Sequence, residues 1–249
     1  MKLHMQSLSK SYHAGHPVLD VPEGTLGEHG LEGLIGPNGA GKSTMMGLLT
    51  RRITPSTGTV SLEDEDTTHL LNPLKSHDVA RLGLVETNQR IQGFESLTIR
   101  DSLRLAATAH DRETYRGVLN DNDPDDAIEA EIDGYLARFK FEDPDGFAKS
   151  GGEKKLLDIL RCMILKPRML LMDEPTAGLP DDVTQEVMKL VGEKVKAKEM
   201  TVVIVEHDLE LIWKHCKYVH FLSEGAILFH GTPKDVKKNR VVAEKYMGI

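Results

Sequence analysis

The chain alternates short apolar runs with polar and glycine-rich punctuation. Residues 2–34 alternate weakly and carry Gly15, Pro17, Pro22, Gly24, Gly27 and Gly30, which predicts short antiparallel strands joined by turns. The run Leu31 to Ile35 predicts a buried strand, and Met45-Met46-Gly47-Leu48-Leu49 predicts an inward-facing helix. Pro55-Ser56-Thr57-Gly58 reads as a turn before a strand at Thr59–Leu62, with Glu63-Asp64-Glu65-Asp66 as a solvated hairpin tip. A further strand is expected at Leu82–Val85, leading to Gln89. Helical spacing takes over from Thr98 to Leu105, with Leu97, Thr98 and Asp101 suited to open it. The stretch 111–145 is acidic, and Asp121-Asn122-Asp123-Pro124-Asp125-Asp126 reads as a loop capping a helix from Ala127 to Phe139. Its spacing lacks the glycine and the terminal glutamate of a calcium loop. Another helix begins after Ser150-Gly151-Gly152 and runs to about Leu165. Met169–Met172 predicts a central, doubly buried strand that delivers Asp173 and Glu174 at its C-terminal edge. A helix at Val183–Val195 precedes a strand at Val202–Val205, which ends on Glu206-His207-Asp208. The tail predicts a hairpin from Val219 and an amphipathic helix from Pro233 to Tyr246.

With 249 residues, 39% of them hydrophobic, the chain can form one large α/β domain, or a core with a smaller lobe. Its formal net charge of −8 argues against a general basic face for nucleic acid, and no nucleic-acid partner is expected. Cys162 and Cys216 lack metal-ligand spacing and read as buried free thiols of a reducing compartment. No signal-peptide pattern follows Met1, and no apolar run approaches the roughly 20 residues needed to span a bilayer. The expectation is a soluble, cytoplasmic protein whose membrane role, if it has one, comes through a partner.

The most specific chemistry lies in Gly36-Pro37-Asn38-Gly39-Ala40-Gly41-Lys42-Ser43-Thr44, which fits the phosphate-loop pattern G-x-x-x-x-G-K-S/T between a strand and a helix. Unpaired backbone N–H groups and the helix dipole converge there on one spot, an anion site. Glycines let the backbone wrap a triphosphate without Cβ clashes. Lys42 would reach the β- and γ-phosphates, and Ser43 would ligate Mg²⁺. Asp173, closing an apolar strand, is placed to hold the Mg²⁺ shell, and Glu174 stands beside it.

Gln89, Ser150-Gly151-Gly152-Glu153, Asp173-Glu174 and His207 follow the phosphate loop in that order. As an ordered set they resemble the nucleotide-binding subunit of ATP-binding cassette (ABC) transporters, over essentially the whole chain. The resemblance implies a P-loop, RecA-like α/β core with a mostly parallel central sheet, an antiparallel β subdomain and an inserted helical subdomain. It divides a single ABC ATPase domain, 1–249, into a core at 1–89 and 166–249 and a helical part at 90–165. It implies that Glu174 is the general base, that His207 contacts the γ-phosphate, and that Gln89 ligates Mg²⁺ and senses the γ-phosphate. Tyr12 would stack on adenine. The Ser150–Glu153 signature would contact the γ-phosphate of a partner subunit, so that two cassettes, identical or paralogous, enclose two ATP molecules. Lys149 stands where the family usually has leucine.

The run Arg81 to Gln89, Thr176-Ala177-Gly178-Leu179 and Glu206-His207-Asp208 look most like cassettes of branched-chain amino acid and urea importers. The implied function is ATP hydrolysis that drives movement of a small polar solute through separate permease subunits. The protein would then sit peripherally on the inner face of the cell membrane. Ile91 and Phe94 are the expected anchors for the permease. Lipid or polysaccharide export, or a non-transport nucleotide-gated scaffold, are the alternatives the resemblance leaves.

Overall fold

The computed structural model describes residues 1–13, 15–65, 67–87, 97–111 and 124–247. In chain order the elements are β1 (Lys2–Lys10), β2 (Leu19–Leu26), β3 (Leu31–Ile35), α1 (Lys42–Leu49), β4 (Thr57–Asp64), β5 (Thr67–Leu70), α2 (Ser76–Arg81) and β6 (Leu84–Glu86). Then come α3 (Ile99–Asp111), α4 (Pro124–Phe139), α5 (Gly151–Ile164), β7 (Met169–Asp173), α6 (Asp181–Lys196), β8 (Thr201–Val205) and α7 (Leu209–His215). The chain ends with β9 (Tyr218–Ser223), β10 (Ala226–Gly231), α8 (Pro233–Lys238), a helical turn at Arg240–Val242 and a π-helical turn at Ala243–Met247.

The chain packs as two compact units, one of Met1–Glu86, Arg168–Pro175 and Val191–Ile249, the other of Thr87–Pro167 and Thr176–Leu190. The first unit carries two sheets among the described residues: a four-stranded one in the order β2-β1-β4-β5 and a six-stranded one in the order β10-β9-β3-β8-β7-β6. Every pairing in the smaller sheet is antiparallel. In the larger sheet β9, β3, β8, β7 and β6 run parallel, and β10 closes one edge antiparallel to β9. Leu3, Met5 and Leu8 of β1, Val60 and Leu62 of β4, and Leu171, Val203 and Val205 of the parallel strands share one core. Met45, Met46, Leu48 and Leu49 of α1 join it with no exposed surface. The apolar part of α1, Met45 to Leu49, is buried all round, which holds the helix directly behind the phosphate loop.

The second unit is helical. Thr98 opens α3 by accepting the N–H of Asp101 at 3.0 Å and donating its hydroxyl to the Asp101 carboxylate at 2.8 Å. Arg100 of α3 ties to Glu129 and Asp133 of α4 and to Asp145. The expected division left the whole of 166–249 with the core, but Thr176–Leu190 packs in the helical unit instead. The contacts explain why: Arg138 of α4 donates to Glu186 at 2.6 Å, and a Cβ on Gly152 would meet the Gly178 carbonyl at 3.1 Å.

Several local expectations change. The acidic hairpin tip is shorter than expected, because Glu63 and Asp64 belong to β4 and pair with Thr68 and Thr67. Both acids are engaged, Glu63 by His4 at 2.8 Å and Asp64 by Arg168. Leu82 and Gly83 close the unforeseen helix α2 instead of opening a strand. Asp121 to Asp123 lie outside the described residues, and Pro124 to Asp126 already form the first turn of α4. The tail is not one helix, because the Asn239 side chain accepts the N–H groups of Val241 and Val242 and starts a new turn. Cys162 and Cys216 are buried free thiols, as expected. Among the described residues no helix is long and apolar enough to cross a membrane.

Candidate active site

Parallel strands deliver their C-terminal residues to one edge of a sheet, where loops and helix N-termini form the ligand site of an open α/β fold. Here β3 leads into the loop at Gly36, β7 ends on Asp173 followed by Glu174, and β8 is followed by Glu206 and His207. The backbone of the loop could not be built from ordinary residues. A Cβ at Gly36 would sit 1.9 Å from the Leu222 carbonyl oxygen. Gly41, the residue capping α1, has φ +104, a conformation that side chains rarely adopt. The Gly225 N–H in the β9–β10 turn donates to the Ala40 carbonyl at 3.1 Å and straps the loop from the other side.

Lys42 folds over this loop and donates to the carbonyls of Gly36 at 2.7 Å and Pro37 at 3.1 Å. Burial lowers the pKa of its ammonium below the ordinary 10.5, while the carboxylates of Glu174 and Asp173 oppose that shift. Negative charge arriving beside it would favour the protonated form further. Asp173 is buried, with 1% of its surface exposed. The buried Asp173 carboxylate at the end of β7 and the Ser43 hydroxyl at the start of α1 are hard-oxygen donors, the kind Mg²⁺ takes, so the residues present fit that ion.

Glu174 has a backbone φ of 48°, unusual for a side chain of its size, and its N–H donates to the Val205 carbonyl at 2.8 Å. The turn brings its carboxylate Oε1 to 2.9 Å from His207 Nε2. A carboxylate can only accept, so Nε2 carries the proton in this contact. A cleft of about 220 Å³ is lined by Val18, Asn38 to Thr44, Glu174 and His207. Tyr12, 52% exposed, places its hydroxyl 3.4 Å from Thr44 Oγ1 at the rim. Val18 is a wall that the sequence reading missed. A single apolar residue in a glycine–proline turn gives no periodic signal.

Residues 19–177 match the sequence profile of the ABC transporter family. The chain belongs to that family. It is 30% identical over 222 residues to the high-affinity branched-chain amino acid transport ATP-binding protein BraF of Pseudomonas aeruginosa, spanning 86% of each chain. With the corresponding protein LivG of Escherichia coli the identity is 31% over 223 residues, again 86% of each chain. A nucleotide-free ATP-binding cassette from an ABC transporter matches with a TM-score of 0.79 at 24% identity, covering 100% of both chains. The cbiO1 structure from Clostridium perfringens matches with a TM-score of 0.73 at 25% identity, covering 98% of this chain and 93% of that one. This ABC subunit is an ATPase, and ATP is its substrate.

The remaining candidates of the ABC subunit fall in two places. Gln89, Ile91 and Phe94 lie outside the described residues. Ser150, Gly151, Gly152 and Glu153 lie in the helical unit at the N-terminus of α5. There Ser150 Oγ accepts the Glu153 N–H at 3.0 Å, and Glu153 Oε2 accepts the N–H groups of Lys149 at 2.8 Å and Ser150 at 3.0 Å. This reciprocal cap leaves Ser150 and Gly151 exposed. The same backbone contacts lower the Glu153 pKa, the Ser150 N–H most.

Proposed function

We propose that this subunit drives uptake of a branched-chain amino acid, urea or a similar small polar solute through separate permease subunits. It works as a dimer around two ATP molecules, peripheral on the inner face of the cell membrane. The similarity to BraF and LivG, branched-chain amino acid transport ATP-binding proteins, supports the amino-acid member of that cargo class. The chemistry rests on one observation, the contact of Glu174 with His207 beside the phosphate loop.

In this reading the loop amides and Lys42 hold the β- and γ-phosphates, and Tyr12 stacks on the adenine. Ser43, Asp173 and Gln89 would hold Mg²⁺. Held there, Mg²⁺ would supply positive charge to offset the negative charge that develops on the transferred phosphoryl group. Glu174 accepts a proton from the attacking water as its oxygen bonds to the γ-phosphorus and the bond to the bridging oxygen breaks, leaving ADP and phosphate. His207 orients the same water and contacts the γ-phosphate. The Ser150 hydroxyl and the amides of Gly151 and Gly152 at the start of α5 complete the partner subunit's site at the γ-phosphate, with Glu153 holding that turn in shape.

Glu174→Gln tests the assignment. ATP affinity should stay within about twofold while turnover falls by about a hundredfold or more. Turnover at the wild-type rate would exclude Glu174 as base. The cargo is tested with the permease complex in vesicles, where ATP should drive accumulation of labelled leucine or urea. Accumulation of neither removes the cargo assignment.

A further inference from the structure

The end of β6 is tied to the far end of the phosphate-loop helix by a buried carboxylate. Glu86, the last residue of β6, has a side chain only 7% exposed. It pairs in register with Leu171, two positions before Asp173 at the nucleotide edge of the sheet. Its Oε2 accepts from Arg52 Nε at 2.8 Å and lies 2.6 Å from the hydroxyl of Thr50, while its Oε1 meets the second nitrogen of the Arg52 fork. Thr50 is the C-cap residue of α1, and Arg52 stands in the turn that follows. One bidentate ion pair and one hydroxyl thus join the helix behind the phosphate loop to the strand end three residues before Gln89.

A buried carboxylate on a strand costs desolvation that an apolar residue would not, and replacing such a pair with apolar residues is often neutral or stabilising. Stability alone is therefore a weak reason for it. Its location is more informative. Glu86 is the last residue before the chain first leaves the first unit, and Thr87 begins the second. A rigid bidentate link at that point fixes where the chain leaves the nucleotide-binding sheet relative to α1.

We propose that Glu86, held by Arg52 and Thr50, is a positioning residue for ATP hydrolysis that sets the origin of the segment carrying Gln89 against the phosphate-loop helix. It touches no phosphate in this scheme. ATP binding through the loop is retained without it, and the turnover step is what depends on it. The proposal rests on the reading of Glu174 as base and Gln89 as γ-phosphate sensor.

The test is a double-mutant cycle on the full chain with Glu86→Gln, Arg52→Met and both together. The measured quantities are ATP dissociation constant, kcat and thermal unfolding, with Glu174→Gln run in parallel. Arg52 is about half exposed, so its substitution leaves the core intact. Each single variant should lower kcat about five- to tenfold with the ATP dissociation constant within twofold. The double variant should fall no further than the worse single one, the signature of one shared interaction. Unchanged kcat in the folded variants, losses that multiply, or losses matched by weaker ATP binding would each overturn the positioning role. If Glu174→Gln is inactive while the Glu86 and Arg52 variants turn over normally, only this inference fails. If Glu174→Gln is fully active, the reading of the site fails and this inference with it.

Discussion

Glu32 is a fully buried carboxylate inside the β3 run that the sequence presented as apolar. It accepts the N–H groups of Gly27 at 2.9 Å and His29 at 2.7 Å, and His220 Nε2 lies 3.0 Å away. Burial alone would raise its pKa. The hydrogen bond from His220, the Gly27 amide, the His220 charge and the His29 amide together hold it below the ordinary 4.5. Because the folded value is depressed, the stability it contributes is complete above 4.5 and is lost as pH falls through the lower folded value. Glu32→Leu should therefore cost about 3–5 kcal/mol at neutral pH, since it strands His220 in the core. Glu32→Leu with His220→Leu should recover most of that loss in urea unfolding. The stability gap between wild type and Glu32→Gln should shrink as pH falls below 4.5; a gap that stays constant there would show that folding does not depress the Glu32 pKa. Nothing near Glu32 in the sequence announces its partner, which lies 188 positions later. By contrast Lys42, Asp173 and Glu174 were legible, because a loop pattern and a strand end are local features. His207 needed the whole ordered set, since it is one histidine among eleven.

At the level of elements, legibility followed length and local grammar. Helix α5 was readable because Ser150 and Glu153 announce a capping box before an apolar face. Strands β7 and β8 were readable as bare apolar runs. Helix α2 has six residues and buries only Val79 among them, too little for a periodic signal. The tail kept its amphipathic spacing across Asn239, so the break, made by one side chain capping a new turn, was invisible to periodicity. The α5 cap also separates structure from chemistry. Ser150→Ala and Glu153→Ala should each lower stability by about 1 kcal/mol, because each opens one half of the reciprocal cap. Only Ser150→Ala also removes a hydroxyl assigned to the partner's γ-phosphate, so it should lose several times more ATP turnover than Glu153→Ala. Equal losses in turnover would reduce the Ser150 role to capping.

For the molecule as a whole, the two units matter because the residues assigned to hydrolysis are divided between them. The phosphate loop, Asp173, Glu174 and His207 belong to the first unit, and the α5 N-terminus belongs to the second. The placement of Thr176–Leu190 with the helical unit was not legible, because it depends on the Arg138–Glu186 pair and on the close approach of Gly152 to Gly178. In the proposed dimer each α5 N-terminus meets ATP held by the other subunit, and Lys149 is the residue there that departs from the family's usual leucine. Its side chain is exposed, while its backbone N–H is already given to Glu153. The Ser150 hydroxyl and the first-turn amides of α5 supply the phosphate contact without it, and an exposed charge in salt solution contributes little. Lys149→Leu should therefore leave ATPase activity within about twofold. In the Glu174→Gln background, where an ATP-bound dimer should accumulate, it should leave the dimer fraction seen by size-exclusion chromatography with ATP and Mg²⁺ unchanged. A loss of tenfold or more in turnover, or a monomeric double variant under those conditions, would place the Lys149 ammonium on the phosphate instead.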